Sequence, residues 1–253
     1  MSNILLFACM LFFNHSMGVM SSWAQAPDVD QGVGSTQQVI EHPLTTQAIE
    51  LRNEMDALRA VEEAELQVDR TLRTMEMVNL AGGIIMGKYE VTHAQWQAVM
   101  QENPARFAMC GEFCPIENVS WNEVQAFLTA LNAKTGKHYR LPTEQEWLTA
   151  CRAGGTFDYC GSNDVDSIAW YAENANDTPH AVGLKKPNAW GLYDMSGNVS
   201  EWTKTCEDNE CLRRVICGGS WLNSKANLNL SSRDWLKAGL RNSRLGFRLV
   251  LDR

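Results

Sequence analysis

The chain of 253 residues predicts an α+β domain with much irregular structure, preceded by a long helix. Three observations carry that class. Between Leu44 and Glu76 no Gly or Pro occurs, and apolar residues return every three or four positions, the period of an amphipathic helix. Three Ser/Thr-x-x-Glu/Gln boxes further on mark the starts of shorter helices. After Gly155 no long helical period returns, and short apolar runs alternate with Gly- and Asn-rich turns, the pattern of brief strands between loops. With 45% hydrophobic and 21% charged residues, the composition is that of a folding polypeptide. The formal charge is −8 and no Lys/Arg run exceeds two, so the basic stripe of a nucleic-acid binder is missing. No run of about 18 apolar residues is present, and no membrane span is expected.

Taken in order, residues 1–26 read as a secretory signal: Ile4 to Phe13 is apolar, and Ala24-Gln25-Ala26 is a small-x-small cleavage site. Only the lack of Lys or Arg before Ile4 counts against it. Export places the protein in the periplasm or outside the cell. Residues 27–43 are polar, contain Gly32, Gly34 and Ser35, and read as a linker. Residues 44–76 form the helix, roughly 50 Å long at about 1.5 Å per residue. Its stripe of Leu51, Met55, Leu58, Val61, Val68 and Leu72 is either a coiled-coil seam for self-association or the face that packs on its own domain. Residues 77–253 are the domain. There Thr92 to Gln95, Ser120 to Glu123 and Thr143 to Glu146 are capping boxes, and the helices they open stop near Asn132 to Gly136 and at Gly154-Gly155 for the second and third.

Seven cysteines follow the signal, and an oxidising compartment lets them pair. Cys110 with Cys114 and Cys206 with Cys211 are close enough to close short loops; Cys151 and Cys160 are a third candidate pair, which leaves Cys217 odd. Zinc needs a second ligand pair at matching spacing, and His93, His138 and His180 stand singly.

Six motifs occur in order: Met86 to Thr92, Val119 to Val124, Tyr139 to Trp147, Gly191 to Trp202, Gly218-Gly-Ser-Trp221 and Leu245-Gly-Phe-Arg-Leu249. Together they resemble the formylglycine-generating enzyme family, the sulfatase-modifying-factor domain, over about residues 77–253. The resemblance implies a C-type-lectin-related α+β domain whose binding sites are built on loops. Active members oxidise a sulfatase cysteine with copper(I) held between two thiolates, and soft thiolates are what copper(I) requires. At the matching stretch this chain has Asn223 and Leu228 and no cysteine, so copper is not expected. The resemblance also implies a calcium site at Asp194, Gly197, Val199 and Glu201, two carboxylates and two backbone carbonyls, which suits a hard cation; the alternative is that the two acids only make loop hydrogen bonds.

Arg140, Arg233, Arg244 and Arg248 are candidate anchors for carboxylates or backbone carbonyls. Glu144 and Glu146 read as structural, and His180 as a lone loop histidine. The Asn/Ser-rich segment with Asn223, Asn227, Asn229 and Arg233 is the expected ligand loop, because short amides and hydroxyls make adaptable hydrogen bonds. The resulting expectation is an exported binding or accessory module that meets a protein, peptide or small ligand through its C-terminal loops. A competing reading is a tailoring oxidoreductase acting on a peptide or siderophore precursor; formylglycine formation itself ranks last.

Overall fold

The computed structural model describes residues 46–253. The expected signal and linker, and the first two residues of the expected helix, lie outside the described residues. Internal contacts divide the chain into a unit ending at Ile49 and a compact unit Glu50–Arg253. Helix α1 (Thr46–Arg73) has no buried residue in its 28. Among the described residues, no helix is long and apolar enough to cross a membrane.

All three capping boxes form. They open α2 (His93–Met100), α3 (Trp121–Thr135) and α4 (Glu144–Arg152), with the Thr92, Ser120 and Thr143 hydroxyls accepting the third backbone N–H of each helix. A fourth, single-turn helix inside the domain, α5 (Val165–Ile168), has no side-chain cap. α2 has a further cap supplied from a distance. The carbonyls of Cys114 and Glu112 accept its first two N–H groups, from His93 at 2.9 Å and Ala94 at 3.0 Å. The loop that provides them is closed by the Cys110–Cys114 disulfide, so a covalent staple holds the start of a helix 17 residues earlier in sequence. The other two expected pairs, Cys206–Cys211 and Cys151–Cys160, are also bonded, and Cys217 is free and buried.

Two small sheets frame the domain. In the first, β1 (Met77–Asn79), β2 (Ile85–Gly87), β8 (Val250–Leu251) and β3 (Tyr139–Arg140) lie in that order. In the second the order is β6 (Asp234–Lys237), β5 (Arg213–Cys217), β4 (Ser200–Cys206) and β7 (Leu245–Gly246). β7 runs parallel to β4, and the other pairs are antiparallel. Gly246 is required where β7 crosses: a Cβ there would meet the Ile116 carbonyl oxygen at 2.2 Å. The larger core stacks Trp96 of α2 on Phe127 of α3 at 5.1 Å, with Phe247 edge-on to both, and such pairs add to plain burial.

At the centre lies a fully buried ion pair. Arg248 grips both oxygens of Glu201 at 2.7 to 2.9 Å and donates to the carbonyls of Gly87 and Tyr193. Trp147 of α4 donates to the same carboxylate at 2.6 Å. Its charges and lone pairs are satisfied by hydrogen bonds, the condition under which a buried pair is tolerated. The single pair therefore ties α4 to both sheets.

Candidate binding face

The Gly218-Gly-Ser-Trp turn closes β5 and launches the Asn/Ser-rich segment. Gly218 and Gly219 have φ of +93° and +68°, a region that favours glycine. A Cβ on Gly219 would also lie 2.5 Å from Leu228 Cδ2. The segment then folds on itself. Asn223 Oδ1 accepts from the Ser220 backbone and hydroxyl at 2.9 and 2.7 Å, Asn227 Oδ1 from the Ser224 hydroxyl at 2.9 Å, and Asn229 Oδ1 from the Ser231 backbone and hydroxyl at 2.9 and 2.7 Å. Leu228 is buried below them. The amide oxygens of the expected ligand loop thus hold its shape, leaving exposed Leu222, Lys225, Asn227 and Ser232 to face outward. Arg233 bridges Glu144 at 2.6 Å and also pairs with Glu207, so it anchors the end of the loop to α4 and to the residue that follows β4.

Two small cavities open beneath this face, of about 160 and 130 Å³, and both touch Cys217, Asn227 and Arg233. Enclosed ligand sites run to about 300 Å³ and more. The loop therefore offers a surface and not a pocket. Larger hollows, of about 410 and 500 Å³, lie along α1. The second is lined by Val61, Ala64, Val68 and Leu72 across from Gln101 and Lys134. The C-terminal half of the α1 stripe thus faces its own domain, while Leu51, Met55 and Leu58 stay 55 to 70% exposed.

The residues do not fit the family's copper site. Copper(I) needs paired thiolates, but Cys217 is the one free thiol among the described residues. Burial, reinforced by Glu144 and Glu201, pushes that thiol far above its usual range. The two acids of the expected calcium loop make other bonds. Glu201 is saturated by Arg248 and Trp147, and a guanidinium in contact with a carboxylate repels a second cation. Asp194 accepts from the Gly183 backbone at 2.7 Å through Oδ2, while Oδ1 meets no donor among the described residues. Gly197 holds a crossing in which a Cβ would meet the Trp170 carbonyl at 2.2 Å, and the Val199 N–H donates to Glu90 at 3.1 Å. No group of three or more His, Cys, Asp or Glu residues able to hold a metal forms among the described residues.

The candidate anchors divide. Arg140 pairs with Glu146 and Asp252, both at 2.7 Å; the Arg244 side chain reaches, among the described residues, Asn242 at 3.5 Å. His180 stacks on Trp170 at 3.9 Å and its Nε2 lies 2.9 Å from the Ala175 carbonyl, a packing role. Two buried acids were not expected. Burial raises Glu90 well above the carboxylate range, with Asp194 and Glu201 adding to the shift. Burial also raises Glu117 to about 7; its Oε1 accepts the Phe107 N–H at 2.8 Å and its Oε2 is unpartnered among the described residues. Phe107 in turn meets Trp221 edge-on at 5.2 Å.

The comparisons agree with this geometry. Residues 50–253 match the model of the sulfatase-modifying factor enzyme 1-like domain. The chain belongs to that family. It is similar to a chaperone protein, LppX, of Paenibacillus barcinonensis, at 30% identity over 70% of this chain and 82% of that protein. It is also similar to the inactive C-alpha-formylglycine-generating enzyme 2 of Bos taurus, at 33% identity over 44% of this chain and 39% of that one. Among solved structures, Treponema denticola variable protein 1 superposes with a TM-score of 0.64 at 29% identity, over 67% of this chain and 84% of that chain.

Proposed function

We propose that this protein is an exported binding and accessory module that engages a polypeptide through its C-terminal loop face and performs no copper-dependent oxidation. One observation carries the reading: the loop that holds the thiolates in active members here has none, and instead forms a self-bonded surface over cavities too small for an enclosed substrate. Three disulfides suit an oxidising compartment outside the cytoplasm, and the name of the LppX relative supports a chaperone-type role. The tailoring-enzyme alternative gains no support from the buried, isolated Cys217.

The test is a binding and holding assay with reduced, carboxymethylated α-lactalbumin as the unfolded polypeptide. The protein is expected to bind it saturably, and Leu222→Ala with Lys225→Ala to weaken binding without lowering Tm. Oxidation of a cysteine peptide by the copper-loaded protein under oxygen would overturn the reading.

The exposed half of α1 carries a second element of the proposal, pairing with a second copy. Continuing the heptad of Leu51, Met55 and Leu58 would put Glu62, Glu65 and Asp69 in the seam, and like charges there repel. The pairing therefore stops near Val61.

A further inference from the structure

The second sheet ends in β6, and the alternation of its ladder can be read bond by bond. Ala238 N–H donates to the Leu212 carbonyl at 2.9 Å, and the register pairs Arg214 with Leu236 and Ile216 with Asp234. On the other side of β5, the carbonyls of Arg213 and Val215 are taken by the Glu207 N–H at 2.9 Å and the Thr203 hydroxyl at 2.8 Å. Leu212, Arg214 and Ile216 thus bond toward β6, and their partners Ala238, Leu236 and Asp234 bond back. The backbone groups of Trp235 and Lys237 are left pointing outward, away from the sheet. The Trp235 N–H is covered by the Asp234 side chain at 2.7 Å, and the Lys237 carbonyl accepts the Leu240 N–H at 3.0 Å. The Trp235 carbonyl and the Lys237 N–H have no partner among the described residues. They stand about two residues apart on one edge, the spacing at which an added strand bonds.

The side chains at this edge have the chemistry of a docking site. Trp235 is 41% exposed; Leu240 nearby in sequence is 49% exposed, and Leu212, in phase with Leu236 on the other face, is 61% exposed. The Arg213 guanidinium lies 4.4 Å from the Trp235 ring centroid and is ion-paired with Asp208 at 2.9 Å. Lys237, two residues from Trp235 and so on the same face, has no ion-pair partner among the described residues. The charge around it is reversed relative to the chain: residues 204–244 carry eight Lys and Arg against four Asp and Glu, in a chain whose formal charge is −8.

We infer that β6 accepts an extended acidic peptide segment of a partner polypeptide as an added strand, bonded to the Trp235 carbonyl and the Lys237 N–H. This rests on the reading of the protein as a polypeptide-binding module and names how a client is held. On the face of Trp235 and the unpaired Lys237 the segment presents acids; on the opposite face, beside Leu236, it presents apolar residues. Backbone bonds supply affinity for any extended chain, and the alternating pattern supplies preference. The Asp234 carboxylate over the Trp235 N–H keeps the edge from pairing indiscriminately, as protected edges do.

The probe is a fluorescein-labelled heptapeptide alternating Glu and Val, with a Lys/Val heptapeptide as control, read by fluorescence anisotropy. The Glu/Val peptide is expected to bind saturably and the Lys/Val peptide not to. Trp235→Ala and Lys237→Glu should each weaken binding about tenfold, and raising salt from about 0.05 to 0.5 M should weaken it severalfold. Lys237→Pro removes only an outward N–H, so it should weaken binding while β5–β6 pairing persists. Should that variant misfold, protection of the Lys237 amide from hydrogen exchange when peptide is added to the unaltered protein gives the same information. Equal binding by the Trp235→Ala and Lys237→Glu variants would overturn the inference, as would an unprotected Lys237 amide or a dimer through β6 that Lys237→Glu dissolves. If α-lactalbumin still binds to these variants undiminished, the edge is wrong and the client reading stands. If the unaltered protein binds neither probe, the client reading itself falls.

Discussion

The Glu201–Arg248 centre and the Asn223–Ser232 loop are both dense in hydrogen bonds, yet they are built on opposite plans. At the centre the partners are buried and 47 to 54 residues apart in sequence. In the loop the amide oxygens and their donors lie two or three residues apart and are mostly at the surface. A buried charge pair loses everything when one partner leaves, because the survivor remains in a medium that cannot solvate it. A local turn bond exchanges with water at little cost. The fold is thus held by polar groups that tolerate no change, and the binding face by groups that tolerate a great deal.

The contrast breaks most sharply at its stronger end. Glu201→Ala leaves Arg248 unpaired at the core and should cost about 3 to 5 kcal/mol, measured by urea unfolding, equally with and without calcium. A loss seen only with calcium would return the cation to this site. Next comes pH. Glu117 holds its proton to about 7 in the folded state against an ordinary 4.5, so its contribution is full below 4.5 and is lost as pH rises through about 7. Stability should therefore fall between about pH 4.5 and 7, and Glu117→Gln should flatten that fall. Replacing Cys206 and Cys211 by Ser opens a loop closed over a separation of five and should cost about 2 kcal/mol, with the domain still folded. At the weaker end, Asn229→Ala should cost about 1 kcal/mol, read as a small drop in Tm. Smallest for the domain is Leu58→Glu in α1, within about 0.5 kcal/mol, while sedimentation should show weakened self-association.

What the sequence made legible follows the same division between near and far. Each capping box is a contact over three residues, so Thr92, Ser120 and Thr143 announce themselves without knowledge of the fold. The short disulfides are similar. The buried partner of Glu201 was not legible, because nothing in the spacing of Gly191 to Trp202 tells where Arg248 will lie. A signal did exist: Arg248 sits between Phe247 and Leu249 in an apolar run, where a charge must be paired. Glu117 in Pro115-Ile-Glu-Asn-Val119 carries the same mark, an acid flanked by residues that become buried. The edge of β6 was invisible, since which strand lies outermost is decided by pairing order.

The placement of β7 and β8 sets a condition on the life of the chain during synthesis. Residues 245–251 supply one strand to each sheet, with β8 between β2 and β3 and β7 beside β4, and Arg248 between them closes the central pair. Until that segment has left the ribosome, the first sheet lacks the strand joining β2 to β3, and Glu201 has no counterion. The nascent domain is therefore an open book whose clasp is made last. A domain of this design stays threadable until residues 245–251 join it.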